Sequence, residues 1–146
     1  MNPDTRPADP FRLDNRVVVQ GQLFESARWT ARVVSYAICN GEPSGFGLSG
    51  ALDLLVEIAA GEPDQSELAL GNKDLGDICR RELRRFLPCF RGLAGSDIDQ
   101  TLLGVLDLLD LLEVEREQVR ETAGAILERR FGPAVERRAR ELIGND

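Results

Sequence analysis

Residues 97–131 read DIDQTLLGVLDLLDLLEVEREQVRETAGAILERRF, and the fold class turns on this stretch. Ile98, Leu102, Val105, Leu109, Leu112, Arg116, Val119, Ala123 and Ile126 follow one another at alternating steps of four and three. That spacing lines one face of an α-helix. Ser96 and Asp97 can open it, and Arg116 alone interrupts the apolar row, so a break or bend is expected near Glu113. Leu103 and Leu111 flank the acidic edge of the 97–112 segment, so apolar side chains nearly encircle it. Such a helix either sits at the centre of a bundle or shares a face with a partner.

The same period recurs outward from this stretch. Val17, Phe24, Ala27, Ala31, Val34 and Ile38 predict a long first helix, capped by Asp14 or Asn15 and stopped by Asn40-Gly41. Gly21 weakens that helix, and Val17–Val19 reads alternatively as a short strand. Residues 41–50, GEPSGFGLSG, read as a loop, and Ser49 is placed as the cap of a helix carrying Leu52, Leu55, Val56 and Ala59. One helical turn is expected at Ser66–Leu70. Asp74 then caps a helix lined by Leu75, Ile78, Cys79, Leu83, Phe86 and Leu87, which Pro88 stops. After Gly132-Pro133 a last helix turns Val135, Ala139, Leu142 and Ile143 inward, with Glu136–Arg140 and Arg137–Glu141 as surface pairs. The prediction is all-α, a compact bundle of five or six helices, with residues 1–13 a disordered lead-in and 14–146 one domain.

Composition narrows the function. The 146 residues hold 18 Lys+Arg against 25 Asp+Glu, a net charge of −7, and no histidine. A length of this order suits one domain burying roughly 70% of its unfolded surface. Without histidine there is no Ser-His-Asp or Cys-His catalysis and no imidazole metal site. Lysine chemistry is confined to Lys73, because every other basic residue is arginine. No apolar run approaches the roughly 20 residues of a membrane helix, and MNPDTRPADP lacks the apolar core of a signal peptide. Cys39, Cys79 and Cys89 read as small buried hydrophobes in a reduced cytoplasm, with a Cys79–Cys89 bridge or a reactive thiol as the alternatives.

Several clusters could carry chemistry or recognition. Arg80, Arg81, Arg84 and Arg85 share an arc of roughly 140° opposite the apolar stripe of their helix, where guanidinium forks could grip phosphates or carboxylates. A solvated face explains them more simply. The overall negative charge and the lack of interleaved aromatics argue against nucleic acid. Arg129, Arg130, Arg137, Arg138 and Arg140 are balanced by neighbouring glutamates. Asp107, Asp110 and Glu113 recur every three residues, but the partners of a di-iron or calcium site are missing. Gly45-Phe46-Gly47 with Gly50 lacks the Lys-Ser/Thr of a phosphate-binding loop. Trp29 and Tyr36 lie on one side of the first helix, off its apolar stripe, and mark either a second buried face or an interface.

Charge is unevenly placed. Residues 41–72 hold six acids, Glu42, Asp53, Glu57, Glu62, Asp64 and Glu67, and no base; residues 92–115 hold another six and again no base. The expectation is therefore a non-enzymatic, cofactor-free interaction protein of the cytoplasm. Its size, acidity and helical character are those of small regulators and inhibitors of bacteria and phage. It would present Asp53, Glu57, Glu62, Asp64, Glu67, Asp107, Asp110 and Glu113 to a basic partner protein, with Trp29 and Tyr36 as aromatic contacts and a homodimer among the alternatives. The rival readings are nucleic-acid binding through Arg80–Arg85, a self-assembling structural role, and an enzyme with a cleft of Asp107, Asp110 and Arg84.

Overall fold

A computed structural model describes residues 18–19, 21–43, 46–113 and 115–144. The lead-in expected over 1–13 and the caps at Asp14 and Asn15 lie outside them. Eight α-helices are present among the described residues: α1 Ser26–Cys39, α2 Phe46–Ala60, α3 Gln65–Ala69, α4 Leu75–Arg84, α5 Leu87–Gly92, α6 Asp99–Leu112, α7 Arg116–Glu128 and α8 Pro133–Gly144. A 3-10 turn at Leu93–Gly95 follows α5. The chain is thus mostly helical, with more and shorter helices than the five or six expected. No described helix is long and apolar enough to cross a membrane.

The stretch over 97–131 breaks where Arg116 interrupts its apolar row. Glu113 leaves the helix at φ −78°, ψ 121°, and α7 starts at Arg116. Helix α6 is the axis of the fold. Its Val105, Leu108, Leu109 and Leu112 enter a core shared with α1, α2, α4 and α5. Its Leu102 and Leu106 enter a second core with Val119, Ala123 and Ile126 of α7 and Val135, Ala139 and Leu142 of α8. The near-complete apolar girdle therefore belongs to a central helix rather than to a partner-facing one. Close approach of α2 is possible because position 104 is glycine: a Cβ there would lie 3.1 Å from Leu52 Cβ. At the α7–α8 turn a Cβ on Gly132 would collide with the Asp99 carboxylate, which accepts a hydrogen bond from the Gly132 amide at 3.2 Å.

Other boundaries differ from the sequence reading. The first helix starts at Ser26, at least nine residues later than expected, because a hairpin precedes it. Strand β1 (Val18–Val19) pairs antiparallel with β2 (Gln22–Leu23), which pairs parallel with β3 (Glu62–Pro63). Gly21 turns that hairpin at φ +78°, a conformation other residues rarely adopt. Helix α2 begins at Phe46, so Ser49 is no cap; its hydroxyl lies 3.2 Å from that of Thr101, and both residues are buried. Helix α4 ends at Arg84, and Pro88 stands in the first turn of α5, where a missing N–H costs nothing. Ile143 is 38% exposed rather than inward. Arg138, not Arg137, pairs with Glu141.

The cysteine expectation is corrected as well. Cys39 and Cys89 form a disulfide, with 5.9 Å between their Cα atoms, and only Cys79 is free. Neither bonded residue is deeply buried. Cys79 is fully buried, and that burial pushes its thiol up to about 11, which disfavours the thiolate that exchange with the bond would need.

Candidate interaction face

Helix α1 packs through small and branched residues. Ala27, Ala31, Val34 and Ile38 are buried, and the two alanines let it lie close against α4. The helix has a second apolar stripe that faces out. Trp29, Val33 and Tyr36 are 50%, 66% and 55% exposed. Their spacing of four and three keeps them within an arc of about 60° along roughly 10 Å of helix.

Neighbouring elements extend this ridge. The Tyr36 ring meets Phe86 edge-on at 5.0 Å, and Phe86 leans on the buried Phe90 at 6.4 Å. One turn beyond both Tyr36 and Phe86, the Cys39–Cys89 bond ties the end of α1 to the start of α5. At the other end, Arg28 and Arg32 place their guanidinium carbons 4.7 and 5.1 Å from the Trp29 ring centroid. Arg32 also grips Glu82 of α4 with both arms, at 2.7 and 3.2 Å, and Arg85 approaches the same carboxylate at 3.5 Å. The Arg32 hydrogen bond outweighs desolvation and holds the Glu82 carboxyl below its usual range. Arg81 is exposed one turn before Arg85 on the same side of α4. An apolar ridge on α1 thus runs beside a cationic one on α4.

No family model, characterised protein or solved structure matches the chain.

The four arginines of α4 do not form one binding arc. Arg80 turns back to the Ala59 carbonyl at 3.1 Å and to Asp77 at 2.8 Å. Arg84 donates to the Leu112 carbonyl at 2.8 Å. Ala59 and Leu112 lie in the last turns of α2 and α6, where carbonyls lack an intrahelical partner, so both arginines cap other helices. Arg81 and Arg85 alone face outward.

The acidic residues are equally dispersed. Glu67 is buried and accepts from the Glu25 amide at 3.1 Å and the Asn72 side chain at 2.6 Å. Asp64 caps α3 by accepting from the Ser66 amide at 3.0 Å. Asp107 and Asp110 are bound by Arg138 at 2.7 and 2.9 Å, Asp110 also by Arg116 at 2.7 Å, and Glu113 by Arg91. Burial tends to raise the Asp110 carboxyl, but these two arginines hold it below its usual range. Asp53, Glu57 and Glu62 remain exposed. Desolvation first, and then the Asp107 charge, raise Asp53. Asp53 and Asp107 line a groove of about 350 Å³ with Leu103, Arg137, Arg138 and Glu141. Arg84 is absent from that groove, so the three residues of the enzyme reading are not brought together. Among the described residues no group of three or more Cys, Asp or Glu is arranged to hold a metal ion.

These carboxylates set an acid limit. Groups with a depressed folded-state pKa, such as Glu82 and Asp110, contribute stability that is present above the unfolded carboxylate pKa of about 4 and lost as pH falls through the folded value. The melting temperature is therefore expected to stay level from neutral pH down to about 5 and to fall below about 4. Thermal melts across pH check this, and a melting temperature still level at pH 3 would contradict it.

Residues Trp29 and Tyr36 were legible as an off-core pair. The 29, 33, 36 spacing also carries Val33, whereas the parts played by Arg28, Arg32 and Phe86, the last read only as a core residue of its helix, depend on tertiary contacts.

Proposed function

We propose that this chain is a non-enzymatic protein–protein interaction module that docks through the outer face of α1. The observation carrying the reading is the exposed stripe of Trp29, Val33 and Tyr36, continuous with Phe86. Isolated exposed apolar residues are ordinary, but three large ones in a row, with arginine around a tryptophan, have the composition of an interface centre. Such a module acts by occupying its partner, as a regulator or inhibitor does. An acidic docking surface has less behind it. Asp107, Asp110 and Glu113 are held by arginines of this chain, and Glu67 is spent on holding backbone and Asn72. The nucleic-acid reading is weakened likewise, with Arg80 and Arg84 bonded to carbonyls.

A photo-crosslinking residue tests the face directly. Placed at Val33 and expressed in the native host, it is expected to trap a discrete heavier species. The same group at Glu117, exposed on α7, is expected to trap none. Equal products at both positions, or none at Val33, would refute the assignment.

A further inference from the structure

We infer that the partner of the α1 face is an amphipathic helical segment carrying carboxylates beside its apolar anchors. This rests on the interaction reading above and adds the chemistry of the occupant. Two adjacent ridges define what fits. The apolar one, Trp29, Val33 and Tyr36, runs along a helix axis for about 10 Å, the length over which a second helix presents residues i, i+4 and i+7. The cationic one supplies Arg28, Arg32, Arg81 and Arg85, against Glu82 between them and Glu25 at the N-terminal end. Arg85 keeps 64% of its side chain exposed, and its contact to Glu82 at 3.5 Å is shared with the much closer Arg32. Arg28 lies over the Trp29 ring and meets the Glu82 carboxylate only through a longer-range charge interaction. A partner carboxylate can reach both without breaking the Arg32–Glu82 pair.

Other occupants fit worse. A second copy packed antiparallel across α1, with α4 on the same side, would set the two arginine-rich edges against each other, a like-charge contact that costs affinity. For a nucleic acid, the two rings of the ridge are poorly placed for stacking: Arg28 and Arg32 already crowd Trp29, and Tyr36 packs edge-on against Phe86. A chain of −7 is also repelled by a polyanion or an anionic bilayer, whereas a short segment with a few carboxylates meets only the local positive field.

Selection of a random peptide library on the intact, oxidised protein tests the class. Enriched peptides are expected to combine Asp or Glu with apolar residues at helical spacing. Their affinity should fall at least about 30-fold in Trp29→Ala, the loss typical of an aromatic hot spot. It should fall about 10-fold in the Arg28→Gln/Arg85→Gln double variant, and further as salt rises from 50 to 500 mM, over which the Debye length shrinks from about 14 to about 4 Å. Trp29, Arg28 and Arg85 lie outside the core, and unchanged melting of the variants confirms that folding is intact. Neutral or basic peptides that need Trp29 but ignore the arginine variant would overturn the carboxylate class and leave the docking face standing. Peptides indifferent to Trp29→Ala, or no enrichment at all, would overturn the proposal, as would tighter binding of an oligonucleotide, of anionic vesicles, or of a second copy lost in Trp29→Ala.

Discussion

Reducing the Cys39–Cys89 bond is expected to lower the melting temperature by about 8–16 °C. The bond closes a loop of 50 residues that spans α2, α3 and α4. In the chain-entropy treatment, opening a loop of that length releases about 4 kcal/mol of restraint on the unfolded chain. That is a large share of the 5–15 kcal/mol by which a domain of this kind is stable. Cys39→Ser/Cys89→Ser is expected to match the reduced protein, since Cys79 is buried with a raised pKa and offers no replacement partner. Scanning calorimetry with and without a dithiol measures the shift. Thiol titration supplies the count: none accessible in the oxidised native protein and one after unfolding in denaturant. An unchanged melting temperature on reduction, or three thiols without reductant, would refute the bond's role.

Long-period features were readable from the chain alone. The row from Ile98 to Ile126 announced both α6 and α7, and the single arginine within it marked their break. The encircling leucines of 97–112 required either a central position or a partner-covered face, and the two cores that the helix joins place it at the centre. Short-range geometry was less visible. The steps from Val17 to Ile38 imitate a helix, yet a hairpin occupies the beginning of that run, since a turn at Gly21 brings β2 alongside β3. Pro88 looked like a stop, although the same ring is tolerated in a first turn, and its two roles differ only in where the preceding helix has ended.

The candidate face was half legible for a different reason. Sequence spacing places Arg80, Arg81, Arg84 and Arg85 on α4 but does not say which of them find a carbonyl nearby. Arg80 and Arg84 meet the ends of α2 and α6 only once those helices pack, so a cluster of four divides into two caps and two surface cations. Asp107 and Asp110 pass the same lesson in reverse. Their partner Arg138 stands about thirty positions away in the chain, and the acidic edge loses its free charge through tertiary contact alone. Cysteine connectivity belongs here too: three cysteines permit three bridges, and the choice rests on the end of α1 meeting the start of α5.

Phe90→Ala is expected to cost 3–5 kcal/mol, the range for removing a fully buried phenylalanine. With a urea dependence of about 2 kcal/mol per molar, the unfolding midpoint should move down by about 2 M without a change in slope. Among the described residues Phe90 is the one aromatic ring that is fully buried, and its position in α5 carries an additional consequence. Phe86 leans on it, and Tyr36 of the exposed ridge leans on Phe86, so the three rings form a path from the core to the candidate docking face. Phe90→Leu fills most of the same space at about 1 kcal/mol and keeps an apolar support under Phe86. Crosslinking from position 33 should therefore survive in Phe90→Leu and fail in Phe90→Ala wherever the latter is unfolded. Equal midpoints for the two variants would mean that the ring's volume is not what holds α5 against the core. Loss of crosslinking in Phe90→Leu at full stability would instead place Phe90 among the residues that orient the ridge, because a change beneath Phe86 would then have reached Tyr36 without unfolding anything between them.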